Sequence, residues 1–365
     1  MDSPSPEPSA GGAPIVGPIV GPRPGIAARI EDWFHVRRER LSTRAGRIPT
    51  VVPFSGYGGA GWIRVLGRVL YLRPPEARQR RTSQTAAVQG VRGWRSFTSL
   101  HVPYAPVTIE VGSTSRSVRA DRGGVIDTRV EIELQPGWHT VSLRIGGTAG
   151  TGGAITEAQV FVADPDARFG VVSDVDDTVM VTALPRPLLA AWNSFVVNEH
   201  ARIATPGMAV FLDRQVQAHP GGPMIYLSTG AWNVAPALTR FLTRNLYPAG
   251  ALLLTDWGPT PDRWFRDGVA HKKTQLRRLA QEFPDIRWLL VGDDGQHDEE
   301  IYGEFCLEHP DNVAAVAIRQ LTPSEAVLAG ARRHPHDRRD PRIPWVYGTD
   351  GAMLAEQLAE HGLGV

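Results

Sequence analysis

The residues best suited to chemistry lie in Val171-Val172-Ser173-Asp174-Val175-Asp176-Asp177-Thr178, where an apolar run of β character delivers three carboxylates and a threonine. Asp174 and Asp176 are separated by a single residue at the expected end of a strand. Like charges this close raise each other's pKa, and the usual remedies are a shared proton or a divalent cation that keeps both ionised. One carboxylate of such a pair can attack a phosphorus centre to form an aspartyl-phosphate. The second can protonate the leaving oxygen and later activate water. The stretch reads as a metal-dependent phosphoryl-transfer site.

Three further stretches end expected strands or open expected helices with useful groups. Tyr226-Leu-Ser228-Thr229-Gly230 closes a buried run with hydroxyls able to donate to a phosphoryl oxygen, although on its own it is ordinary turn chemistry. His271-Lys272-Lys273 sits near the start of a helix, where an ammonium group could hold a carboxylate and a phosphate together. Neighbouring helical residues point about 100° apart, so only one of the two lysines can face a cleft. Val291-Gly292-Asp293-Asp294-Gly295-Gln296-His297-Asp298 again brings carboxylates to a strand end, a supply of hard oxygen ligands suited to Mg2+.

The elements that must position these groups follow from periodicity. Phe169–Ser173, Met224–Ser228, Ala251–Thr255, Trp288–Gly292 and Val313–Ile318 are nearly continuous apolar runs, as expected of strands buried on both faces. Helical stretches lie between and after them, near Met208–Ala218, Ala235–Asn245, Lys272–Phe283, Asp298–Glu308 and Pro323–Ala329. The alternation predicts a parallel α/β sheet covered by helices, with ligands bound beyond the carboxyl ends of its strands. Upstream the period is two. Trp62–Leu72, Val107–Val111, Thr128–Leu134, His139–Ile145 and Ala158–Val162 alternate apolar and polar residues between turn formers, which predicts an antiparallel, sandwich-like all-β unit. Its tryptophans, Trp62, Trp94 and Trp138, read as core or inter-unit packing.

The chain has 365 residues, 42% of them apolar, and 39 basic against 38 acidic side chains. That is enough for two cores, and the near-zero net charge gives no reason to expect a nucleic-acid partner. The single cysteine, Cys306, excludes an internal disulfide or a cysteine-based zinc cluster, fits a reducing compartment, and reads as a small buried hydrophobe. No run of about 18 apolar residues occurs, which excludes a membrane-spanning helix. The opening residues lack the pattern of an export signal. The expected division is a leader over 1–50, flexible and then an amphipathic helix across Ile26–Leu41 with a basic face; a β unit over 51–165; a catalytic unit over 166–330; and a basic linker with a final helix, Asp350–His361, over 331–365. Arg73–Arg81 reads as a basic loop.

Taken together, the four acidic, hydroxyl and lysine stretches resemble the motifs of the haloacid dehalogenase superfamily across about residues 168–320. Narrower likeness to the actin-patch-associated type of phosphatidate phosphatase rests on Ser173-Asp-Val-Asp-Asp-Thr178, Pro206-Gly-Met208, Tyr226-Leu-Ser-Thr-Gly-Ala-Trp232, Phe283-Pro284 and Val291 through Tyr302. By this resemblance the fold is a Rossmann-like parallel sheet with a small flap over Val179–Pro206. Asp174 looks like the nucleophile, Asp176 the general acid and base, and Lys272 the charge-stabilising lysine. Thr178 would steady the loop, and Thr178, Ser228 and Thr229 are the candidate phosphate-binding hydroxyls. The resemblance implies Mg2+ held by Asp174, by the main-chain carbonyl of Asp176, and by Asp293 with Asp298 supporting it. Asp294 stands where the family's acidic loop has serine.

The expected activity is therefore hydrolysis of a phosphomonoester through an aspartyl-phosphate. Phosphatidate is the substrate that the resemblance implies, in a cytoplasmic protein with peripheral membrane contact left open. A soluble or protein-bound phosphomonoester, or a catalytically idle scaffold, are the alternatives. The partner of the β unit is not legible.

Overall fold

The computed structural model describes residues 46–72, 100–146, 155–181, 203–255, 261–295, 297–322, 325 and 340–364. Most of the leader with all of its basic helix, Trp94, the loop over 73–81, the flap from 182 to 202, most of the helix expected over 323–329 and most of the charged tail lie outside them.

Seven strands form the first sheet: β1 (Ile48–Gly59), β2 (Trp62–Leu72), β3 (Pro106–Val111), β4 (Thr114–Arg119), β5 (Val125–Glu131), β6 (Gly137–Ile145) and β7 (Ile155–Val162). Their order is β4-β3-β6-β7-β1-β2-β5. Every pairing is antiparallel except β1 with β7. The strands bond into one continuous sheet, where a sandwich would have two. Its edge strands β4 and β5 touch, so the sheet curls around its own core. That core holds Ile63, Val65, Val107, Val141, Leu143 and Val160.

β2 shows why its alternation is only half the story. Ile63, Val65 and Val69 fill the inside of the curl, while Trp62, Leu66 and Leu70, on the opposite face, are also buried and belong to the core of the second sheet.

A two-stranded ribbon, β9 (Met180–Val181) with β10 (Ile203–Ala204), brackets the flap segment. The second sheet comprises β8 (Phe169–Ser173), β11 (Met224–Ala231), β12 (Ala251–Thr255), β13 (Arg287–Asp293), β14 (Val313–Arg319) and β15 (Trp345–Gly348). All are parallel, in the order β12-β11-β8-β13-β14-β15. Counted along the chain this is 3-2-1-4-5-6, and the direction of winding reverses between β8 and β13. Crevices at such a switch point are where open α/β sheets bind ligands.

The helices are α1 (Met208–Ala218), α2 (Ala235–Arg244), α3 (Pro261–Glu282), α4 (Asp298–Glu308) and α5 (Gly351–Glu360). α1 packs on α5, and α3 on α4. Asp350 caps α5 by accepting from the backbone N–H groups of Ala352 and Met353. No helix among the described residues is long and apolar enough to cross a membrane.

The sheets meet along β1, β2, α3 and the segment after β11. Phe54 stacks on Trp232 with ring centroids 4.7 Å apart, and Trp62 lies 5.4 Å from Phe283. Trp62 is thus the packing residue expected, whereas Trp138 is an exposed side chain lying on Phe161 and not part of a core. Cys306 is fully buried.

Candidate active site

The chain leaves β8 as a tight turn. The Asp174 N–H donates to Val291 O at 2.8 Å, which carries the β8–β13 ladder into the first acidic loop. The Val179 and Met180 N–H groups fold back on Val175 O, and the Asp177 N–H donates to Met180 O. This places Asp177 in the left-handed region at φ 58°. That conformation costs a non-glycine residue on the order of 1–2 kcal/mol, aspartate being among the more tolerant, so the loop depends on external anchors.

Lys272 is the hub. From α3 its Nζ lies 2.6 Å from Asp174 Oδ1 and 2.5 Å from Asp298 Oδ1, and all three side chains are buried. Asp298 opens α4, where the partial positive charge of a helix start favours a carboxylate. Asp293, at the end of β13, accepts from the Gly295 N–H at 2.7 Å. Between them Gly292 allows the approach: a Cβ there would stand 2.6 Å from Asp298 Oδ2 and 2.7 Å from the Tyr302 ring. Lys273 points away and pairs with Glu304, which resolves the choice that helix geometry left open.

The charges do not balance. Three buried carboxylates, Asp174, Asp293 and Asp298, surround one ammonium group. Burial, partly offset for Asp174 by Lys272, and the neighbouring carboxylates push Asp174 and Asp293 well above the ordinary carboxylate range. Burial works against the Lys272 ammonium, but Asp174 and Asp298 outweigh it and keep the group protonated. His271, beside it, is driven by burial down to about 4 and is neutral at neutral pH. One carboxylate oxygen from each of Asp174, Asp293 and Asp298 lies within 4.8 Å of the others. A surplus of negative charge on converging hard oxygen donors fits a small divalent cation such as Mg2+. Asp176, the fourth expected ligand, has its carboxylate outside this trio.

The expected hydroxyls fall in three different settings. Ser228 donates to Asp176 Oδ2 at 3.2 Å and accepts from the Gly230 N–H at 3.0 Å, so it joins the end of β11 to the first acidic loop. Thr229 is half buried, and its main-chain carbonyl accepts from the Thr255 hydroxyl. The Thr178 hydroxyl is buried and has no hydrogen-bond partner among the described residues. Asp294 turns its carboxylate to the Leu321 N–H at 2.8 Å, which ties the end of β13 to the residues after β14.

Two residues that sequence reasoning missed anchor the turn. Tyr247, before β12, donates to Val179 O at 2.6 Å, and Arg319, at the end of β14, donates to Asp177 O at 2.6 Å. Both contacts are to main-chain atoms, which leave no trace in side-chain spacing.

Comparison with known proteins places this geometry in context. Residues 169–320 match the family model described as the catalytic domain of phosphatidate phosphatase APP1. The chain is 22% identical over 236 residues to phosphatidate phosphatase APP1 of Saccharomyces cerevisiae, covering 62% of this chain and 39% of that protein. It is 24% identical over 160 residues to an uncharacterized protein of Schizosaccharomyces pombe, covering 41% and 25% of the two chains. The chain thus spans well under half the length of these curated relatives. A solved carbohydrate acetylesterase from Xanthomonas citri covers 78% of this chain and 73% of its own at 11% identity, but its TM-score of 0.27 carries no argument about fold or function. The stretch from β8 to just past β14 therefore resembles the catalytic domain of APP1-type phosphatidate phosphatases.

Proposed function

We propose that the chain is a Mg2+-dependent phosphomonoester phosphatase of haloacid dehalogenase type, acting through an aspartyl-phosphate. The observation that carries this reading is the buried Lys272 ammonium, joined at once to Asp174 and Asp298 beside Asp293. A nucleophilic carboxylate, a fixed cation and a group of hard oxygen donors are the parts such chemistry needs.

In this reading an Asp174 carboxylate oxygen attacks phosphorus and the bond to the ester oxygen breaks. Asp176, half buried and steadied by Ser228, delivers a proton to the departing oxygen. Asp176 then takes a proton from water as that water attacks the same phosphorus, releasing Asp174 and inorganic phosphate. Lys272 holds Asp174 in its attacking position and offsets charge on the phosphoryl oxygens. Asp174, Asp293 and Asp298, with the Asp176 main-chain carbonyl, would hold Mg2+, which supplies further neutralisation of the transferring group. Ser228, Thr229 and Thr178 are the hydroxyls offered to the phosphate.

The proposed substrate is a phospholipid of the phosphatidate type, converted to diacylglycerol by a cytoplasmic protein that meets the bilayer peripherally. Support comes from the family match over residues 169–320 and from the name of the yeast relative. The deciding measurement compares phosphate release from phosphatidate in mixed micelles with release from small phosphate esters, each with Mg2+ and with chelator. Mg2+-dependent release from the lipid supports the assignment. Hydrolysis of soluble esters alone would remove the lipid, and no hydrolysis of either would leave a scaffold.

A further inference from the structure

Arg319 touches both acidic loops. In the β13–β14 ladder it stands opposite Asp293, and its carbonyl accepts from the Asp294 N–H at 3.0 Å. Its side chain, 3% exposed, crosses to the other loop and donates through Nη1 to Asp177 O at 2.6 Å. The second terminal nitrogen, Nη2, meets both carboxylate oxygens of Glu325 at 2.8 and 3.0 Å. Glu325 is itself held by the Thr322 N–H and hydroxyl, each at 2.9 Å.

We propose that Arg319 is a positioning residue that fixes the first acidic loop relative to the second, with Glu325 setting the plane of its guanidinium. This rests on the phosphatase reading above. The ladder between β8 and β13 aligns the strands only as far as Asp174, whose N–H meets Val291 O. Beyond it the chain turns through the left-handed Asp177, and nothing in the ladder sets where Asp176 and Thr178 come to rest. Arg319 clamps that turn from the strand that also flanks Asp293. Both loops then refer to one rigid side chain.

The residue type follows from the task. A planar guanidinium can donate to a carbonyl with one nitrogen while another is pinned by a carboxylate. Lysine carries its three N–H donors on a single nitrogen at the end of a flexible stem, so it cannot reach two separated partners from different nitrogens in one fixed plane.

The test uses the full chain as wild type, Arg319→Ala, Arg319→Lys and Glu325→Gln. Mg2+ affinity is read by calorimetry, kcat and KM on p-nitrophenyl phosphate, and folding by circular dichroism melts. A supporting residue of this kind typically costs about 10–100-fold in metal affinity or activity. The expected result for Arg319→Ala is a loss in that range in Mg2+ affinity and kcat, with KM little changed and with partial recovery of kcat in added guanidinium. Arg319→Lys stays impaired, and Glu325→Gln moves the same way by less. A folded Arg319→Ala protein with wild-type Mg2+ affinity and kcat overturns the proposal. If that variant does not fold, unchanged values in Glu325→Gln overturn it instead. Wild type that binds Mg2+ yet hydrolyses no ester sinks the phosphatase reading alone, and the affinity comparison then decides the role of Arg319.

Discussion

Arg64 of β2 grips Glu282 of α3 with two nitrogens, Nε at 3.1 Å and Nη2 at 2.6 Å from the same oxygen, while Tyr57 donates to the other oxygen at 2.7 Å. Glu282 lies ten residues beyond Lys272 on the same helix. The curled sheet therefore holds the helix that delivers the site's ammonium group. Aromatic contacts from Tyr57 and Trp62 to Phe283 continue the seam into one shared hydrophobic core. Interfaces of this apolar kind are those across which units do not move freely.

The first prediction is that Glu282→Ala lowers stability by about 1–3 kcal/mol, since it takes the acceptor away from the buried Tyr57 hydroxyl and from two nitrogens of Arg64, which among the described residues keeps only Asp127 as a partner. Melting should remain a single transition at lower temperature. A wild-type melting temperature, or two separate transitions, would count against a shared core.

The second concerns pH. Asp127 is partly buried, which alone would raise its pKa, but Arg278 at 2.8 Å and Arg64 at 2.5 Å overcome that and hold it below the usual carboxylate range. A depressed folded-state pKa contributes stability that is fully present above the unfolded value, about 3.9, and is lost as pH falls through the folded one. Asp127→Asn should therefore melt lower than wild type near neutral pH, and the two curves should converge only on the acid side of about pH 4. A gap that stays constant through that range would show that the charge of Asp127 is not the source.

Third, Asp174→Asn should abolish turnover, by at least on the order of 10^4-fold if Asp174 is the nucleophile. The amide is nearly isosteric; it gives up the ion pair with Lys272, which keeps Asp298, but removes a charge disfavoured by burial and by Asp298 and Asp176. Melting without metal should accordingly be no lower than wild type. Retained hydrolysis in this variant would refute the nucleophile assignment.

Fourth, Mg2+ should raise the melting temperature of the metal-free protein. At a hundredfold excess over Kd the gain is about 2.7 kcal/mol. Asp293→Asn, which removes one of the three converging carboxylates, should shrink that shift while leaving the metal-free protein folded. Equal Mg2+ shifts in wild type and variant would place the ion elsewhere.

How far the sequence spoke can be judged from particular elements. Val313–Ile318 and Trp288–Gly292 were readable as strands because burial on both faces removes any polar alternation, and both occur, each extended to the charged residue that follows. β1 was not readable. Pro49, Pro53, Gly56, Gly58 and Gly59 look like breakers, yet the strand tolerates them through a register shift between Phe54 and Tyr57 and through close approach of Gly56 and Gly58 to β2. α3 begins at Pro261, well before the predicted Lys272. The acidic loops were legible because carboxylates at strand ends are costly and local. Arg319 was not, because an arginine ending an apolar run is ordinary and its partner is a carbonyl 142 residues away. The three converging carboxylates were visible as types, but only the tertiary fold shows that Lys272 bridges two of them.

The last prediction separates the two adjacent lysines. Lys272 is buried against Asp174 and Asp298, whereas Lys273 pairs with Glu304 on the outside of α3 and α4. Lys272→Met leaves three buried carboxylates with no cation among them. Without metal at neutral pH it should melt several degrees below wild type, recover part of the difference when Mg2+ replaces the lost charge, and still fail to turn over substrate. Lys273→Met removes only a partly exposed ion pair, worth about 0.2–1 kcal/mol, and should keep wild-type kcat. The comparison is read from melts with and without Mg2+ and from turnover on one ester. If both variants lost activity equally, the helix rather than the Lys272 ammonium would be what the site requires; if neither did, Lys272 would be no more than a buried counter-ion.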